Sequence, residues 1–196
     1  MTVQRNIMVL PATAERWSDL EIVFNARGCS VARGCWCMYY RRSGRQPPLP
    51  AGNTQSEFNR DGLRSLVDSD TPPGLIGYRD QCPVGWVSLG PREDYAKLKR
   101  SPVMKPVDSK SVWSIICFVV PAEFRRQGVA SALLAGAIEY TKLRNVSILE
   151  AYPVDRLDRA RDDSMFFGAK SMYDAAGFEE VARRKPMRPV VRLHLS

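Results

Sequence analysis

The chain has 196 residues, 44% hydrophobic and 26% charged, with 29 lysines and arginines against 21 aspartates and glutamates and a formal net charge of +8. A chain of this length removes roughly 70% of its unfolded surface from water, enough for a packed core without disulfide or metal staples, and it suits one domain over residues 1–196. No apolar run approaches the ~20 residues of a membrane-spanning helix, which excludes a membrane span: Val112 to Ala122 is interrupted by Ser114, and the first ten residues lack the apolar segment of a secretion signal. Five cysteines, an odd number, several in apolar company such as Ile115-Ile116-Cys117-Phe118, suit a reducing compartment, so a cytoplasmic location is expected.

Ile7 to Leu10 reads as a short strand ended by Pro11, and Thr13 N-caps a helix whose Trp17, Leu20, Val23 and Phe24 share one face. From Arg27 to Asn53 glycines, prolines and arginines break every period, which predicts a long functional loop insertion. Thr54 to Glu57 has capping-box spacing ahead of Phe58, Leu63, Leu66 and Val67, hence a second helix. Leu75 to Tyr78 and Val84 to Leu89 flank a turn at 79–83 as an antiparallel hairpin. Pro91 to Lys110 is polar and basic, and Val112 to Val120, β-branched and aromatic, reads as a central strand. Gly128 to Arg144 carries the broad apolar stripe of a helix lying on a sheet. Val146 to Tyr152 is a strand, Ser171 to Ala176 a short helix stopped by Gly177, and 180–182 and 190–195 are closing strands.

The segment that carries chemistry runs from Phe118, Val119 and Val120 through Arg125, Arg126, Gln127, Gly128, Val129 and Ala130. Here a strand feeds a glycine turn that opens a helix. The first turn of a helix has unpaired amides and about half a positive elementary charge, so a pyrophosphate finds donors there. Arg125 and Arg126 add charged donors, while Gly128 and Ala130 are small enough for phosphate oxygens to reach the backbone. Neither a Walker A pattern nor a dinucleotide fingerprint is present, which removes the usual supports for nucleotide hydrolysis and hydride transfer.

The run Arg125-Arg126-Gln127-Gly128-Val129-Ala130 resembles the cofactor motif of the GNAT acetyltransferase superfamily, Arg/Gln-x-x-Gly-x-Gly/Ala. A second family element, an aromatic followed by Gly-Phe at the end of a short helix, is matched by Tyr173 with Gly177-Phe178. A narrower resemblance is to bacterial members carrying Gly34-Cys35-Trp36-Cys37-Met38-Tyr39-Tyr40 and Glu150-Ala151-Tyr152-Pro153-Val154-Asp155. The chain departs from many members in having Phe167, after a polar stretch at 158–164, where an asparagine is common. The resemblance implies an α/β (α+β) fold: a mixed, mostly antiparallel central sheet flanked by helices, with a splayed central strand pair. It also implies acetyl-CoA as cosubstrate, an amine acceptor from a small molecule or peptide, and the backbone of Phe118 to Val120 as the seat of the pantetheine arm.

In that setting Tyr173 is the expected proton donor to the leaving thiolate, a phenol near pKa ~10 against a thiol near ~8.5. The alternative is a core tyrosine. Glu150 is the candidate base, the alternative being a carboxylate paired with an arginine. Trp36, Tyr39 and Tyr40 beside Arg41 and Arg42 are candidates to wall an acceptor that bears an amine and also a carboxylate or phosphate. Cys29, Cys35 and Cys37 lack the spacing and fourth ligand of a zinc site, the only histidine being His194, so no metal is expected. Competing readings are a noncatalytic CoA-binding or interaction module, and a nucleic-acid binder suggested by Lys97, Lys99, Arg100, Lys105 and Lys110, with no recognition signature to accompany them. A homodimer is compatible with all of these.

Overall fold

The computed structural model describes residues 7–44, 48, 49, 51–156 and 166–195. The polar stretch at 158–164 and Pro47 and Pro50 of the predicted loop lie outside them. Seven strands form one sheet: β1 (Met8–Pro11), β2 (Gly74–Arg79), β3 (Cys82–Pro91), β4 (Trp113–Val119), β5 (Ile148–Ala151), β6 (Glu179–Lys185) and β7 (Arg188–His194), in the order β1-β2-β3-β4-β5-β7-β6. Every neighbouring pair is antiparallel except β4 with β5. This is the mixed, mostly antiparallel sheet expected from the sequence.

Period-two alternation decides what each strand buries. Leu75, Val87, Leu89, Ile115 and Leu149 point to the face covered by α4 (Val129–Lys142) and α5 (Lys170–Ala175). Ile76 and Trp86 point to the opposite face, under α1 (Trp17–Asn25), α2 (Ser30–Cys35) and α3 (Gln55–Val67). The polar segment after β3 folds as two 3₁₀ turns, and Tyr95, Leu98, Val103 and Met104 pack with Ile116, Tyr152 and Val190 into a third cluster. A segment that reads as a charged loop therefore seals one end of the sheet. The longest helix, α4, has 14 residues, and no described helix is long and apolar enough to cross a membrane.

Several boundaries are local in origin. Thr54 and Glu57 form the expected reciprocal capping box of α3. The β2–β3 turn is the pair Asp80-Gln81, both at positive φ as a tight hairpin demands. Thr13 makes no cap bond to a backbone amide; its hydroxyl accepts from Arg16, and a 3₁₀ turn at Ala14–Arg16 precedes α1.

The predicted loop at 27–53 holds a helix, α2, whose end is unusual: Trp36 and Cys37 both take left-handed φ, at 47° and 53°. Non-glycine residues there need compensation. Trp36 has it, stacked on Phe24 with centroids 4.7 Å apart and planes within 3°. Trp36 is therefore core rather than a pocket wall.

α4 sits very close to the sheet because small residues meet there. A methyl on Gly136 would lie 2.5 Å from Val9 side-chain atoms, and one on Gly85 would lie 2.8 Å from Val129 Cγ1.

Candidate active site

β4 and β5 pair only from Trp113–Leu149 to Ile115–Ala151. Beyond that β5 stops while β4 continues to Val119 along β3, so the parallel pair opens. This is the splay expected at Phe118 to Val120. Its amides are not all open: Phe118 N–H donates to the Phe166 carbonyl at 2.6 Å.

After β4 the chain makes a 3₁₀ turn at Ala122–Phe124, takes left-handed φ at Arg126 (58°) and Gly128 (79°), and enters α4. The first intrahelical bond runs from Ala132 N–H to Gly128 O, 2.9 Å. The amides of Val129, Ala130 and Ser131 therefore have no carbonyl of their own helix to bond. All three residues line a cleft of about 290 Å³, together with Phe118, Val119, Val120, Arg125, Arg126 and Gly128, and with Gly28, Cys29, Val31 and Ala32 opposite. A Cβ on Gly128 would meet nothing within 4 Å, so an oxygen ligand can approach its backbone. The residues present fit a diphosphate.

Two of the predicted contacts need correction. Gln127 does not line this cleft: its Oε1 accepts from Arg79 at 2.6 Å and its Nε2 donates to Glu123 O at 2.6 Å, turning it to the far side of the junction. Arg125 lines the cleft but spends its fork on the wall, bonding Val120 O at 3.1 Å and Gly28 O at 2.6 Å. It ties the 27–29 segment to the end of β4. Arg126, the other expected charged donor, also lines the cleft.

A second cleft, about 730 Å³, adjoins the first and shares Val31, Ala32 and Phe166 with it. Its walls are Met38, Tyr39, Tyr40, Ile116, Cys117 and Phe167, with Arg42, Lys97 and Arg188 as cations. Of the residues expected to wall an acceptor, Tyr39, Tyr40 and Arg42 are at this cleft. Arg41 is not: it turns to Asp94, Tyr95 and the Pro73 carbonyl. Burial pushes the Tyr40 phenol up and the Arg188 guanidinium down. At the cleft floor, hydrogen bonds with Cys117 and from the Trp86 indole hold Cys37 below the ordinary thiol range, while Cys117 is pushed up. Arg188 is a cleft residue that the sequence does not single out, since nothing local distinguishes an arginine at the start of a terminal strand.

The two side chains expected to move protons, Tyr173 and Glu150, line neither cleft. Tyr173 is fully buried, its phenol donates to Phe167 O at 2.9 Å, and desolvation drives its pKa far up. Glu150 is also fully buried. Its Oε2 accepts from Arg192 Nε and its Oε1 from Tyr152, each at 2.7 Å, with Arg92 Nη1 at 3.8 Å. These are the core-tyrosine and paired-carboxylate alternatives. Low dielectric favours such partnered states over free ones.

A family model described as the acetyltransferase (GNAT) family matches residues 38–178. Among curated proteins none matches by sequence. Among solved structures, an acetyltransferase from Thermus thermophilus is similar at 15% identity and TM-score 0.54, covering 97% of both chains. A Drosophila melanogaster polyamine N-acetyltransferase that forms N-acetylagmatine is similar at 12% identity and TM-score 0.54, covering 97% of this chain and all of that one. The NatC complex bound to Gag peptide and CoA contains a chain similar at 12% identity and TM-score 0.52, covering 97% of this chain and 99% of that one. These likenesses show a shared fold.

Proposed function

The chain belongs to the acetyltransferase (GNAT) family, and from that premise we propose that it transfers an acetyl group from acetyl-CoA to a primary amine of a small molecule or peptide, by direct attack of the amine. The observation that carries this reading is the continuity of two clefts of different chemistry. One is built on helix amides and Arg126, the other on aromatic walls, and they meet at the end of β4. A chain of similar fold in a complex bound to CoA supports the cosubstrate.

Acetyl-CoA supplies the acetyl thioester; the amine nitrogen takes the acetyl carbon, the C–S bond breaks, the amine loses a proton and the thiolate gains one. The amides of Val129, Ala130 and Ser131, the dipole of α4 and Arg126 hold the diphosphate. Phe118 N–H points into the splay and polarises the reacting carbonyl when the Phe166 carbonyl gives way to it. Phe124, Cys29, Val31 and Ala32 give the donor cleft apolar walls. The experiment is calorimetry with coenzyme A together with thiol release across a panel of amines. Binding without thiol release from any amine would replace this reading with that of a noncatalytic CoA-binding module.

For Tyr173 we propose a positioning role. Its bond to Phe167 O fixes the segment that carries Phe166 and Phe167 into the cleft walls. Tyr173→Phe is expected to cost about 1–2 kcal/mol of stability, the loss of a buried acceptor's partner, and to lower kcat with the pH profile unmoved. A displaced alkaline limb of kcat would instead assign the thiolate's proton to this phenol.

A further inference from the structure

Arg188 opens β7 with its guanidinium 4.3 Å from the centre of the Phe167 ring. Its Nη2 has the Tyr152 carbonyl at 3.4 Å and Met104 Sδ at 4.0 Å, and its Nε is buried with no hydrogen-bond partner among the described residues. The other well-buried arginines on this side of the sheet are matched by carboxylates. Arg192 has Glu150 and Asp108, Arg92 has Glu150 and Arg41 has Asp94. Arg188 has no carboxylate among the described residues. Arg42, on the opposite wall, bonds the neutral oxygens of Asn59 and Phe58. Lys97 Nζ lies 3.4 Å above the Tyr39 ring. No aspartate or glutamate is among the described residues lining the cleft.

A half-buried cation without an anion is costly, and a guanidinium fork matches a carboxylate with two parallel bonds. We propose that the acceptor is an amine that also bears a carboxylate, that this carboxylate docks on Arg188, and that its apolar body lies among Met38, Tyr40, Ile116 and Phe167. Arg42 and Lys97 add positive potential, so polycationic amines are repelled. The inference rests on the acetyl-transfer reading of the same cleft and deepens it.

Two experiments separate the inference from that reading. Thiol release is compared for phenylalanine, phenylalaninamide, phenethylamine and spermidine at equal free-base concentration. Phenylalanine is expected to exceed the others by about 10-fold or more in kcat/KM. Arg188→Gln erases the preference through KM, and Arg188→Lys restores part of it. Equal or better turnover of the amide or of spermidine, or an equal loss for every amine in Arg188→Gln, overturns the proposal while acetyl transfer stands. Calorimetry of 3-phenylpropionate against 3-phenylpropionamide on the unmodified protein reads the carboxylate seat without turnover or variants. Heat from the acid alone supports the proposal even where none of the four amines releases thiol, and equal or absent heats overturn it.

Discussion

Ala130→Glu is expected to weaken coenzyme A binding by about 100-fold or more, measured by calorimetry, while leaving the thermal midpoint unchanged or raised. The two effects have opposite signs for one reason. Gly128 caps α4 and Ala130 is its second residue, lining the cleft beside unpaired amides. A carboxylate in the first turn complements the helix dipole and stabilises the helix by about 0.3–1 kcal/mol. The same carboxylate stands where the diphosphate would sit, removing donors and adding like-charge repulsion. Loss of binding cannot then be ascribed to unfolding. Unchanged affinity for coenzyme A would show that the diphosphate does not use this end of the helix.

Arg192→Met carries the largest expected cost in stability, about 3–5 kcal/mol, or a fall of roughly 6–20 °C in Tm, because it strands Glu150. Glu150 is fully buried and Arg192 nearly so. Arg92 Nη1, at 3.8 Å, is too distant to replace a 2.7 Å charged bond. The double variant Arg192→Met/Glu150→Leu is expected to recover most of the loss, since a buried ion pair and a packed apolar pair are often of similar worth. A single variant as stable as the parent would mean that Glu150 does not depend on Arg192.

The outer end of this network predicts a pH effect. Hydrogen bonds from Arg192 hold the Asp108 carboxyl at about 2, below its usual 3.8. A carboxyl with a lowered folded-state pKa stabilises above its unfolded value, and that contribution is lost as pH falls through the folded value. Urea midpoints should therefore drop between about pH 4 and 2 more steeply for the parent chain than for Asp108→Asn. Parallel curves would remove Asp108 from the network.

Legibility in the sequence followed the range of the forces involved. The capping box at Thr54 and Glu57, the junction from Val120 to Ala130 and the alternation of the central strands depend on residues a few positions apart, and all appear where their patterns place them. α2 did not announce itself, because six residues with a glycine among them and a tryptophan cap carry no helical period. Glu150 and Tyr173 have the right chemistry at the right positions in the chain. Their partners, Arg192 and the Phe167 carbonyl, come from elsewhere in the fold, and only the tertiary structure shows both groups already engaged. Gln127 shows the same lesson at short range: it sits inside the motif, yet Arg79 from the β2–β3 hairpin claims its side chain.

Gly136 and Gly85 bring α4 into direct contact with β1 and β3. An α-helix behaves over such lengths as a stiff rod, rising about 1.5 Å per residue. The eight residue steps from Gly128 to Gly136 therefore form a lever of about 12 Å. Its aim is set where it rests on the sheet, so the accuracy with which three amides meet a ligand is inherited from two missing methyl groups, one beneath Val129 at the ligand end and one at the far end of the lever.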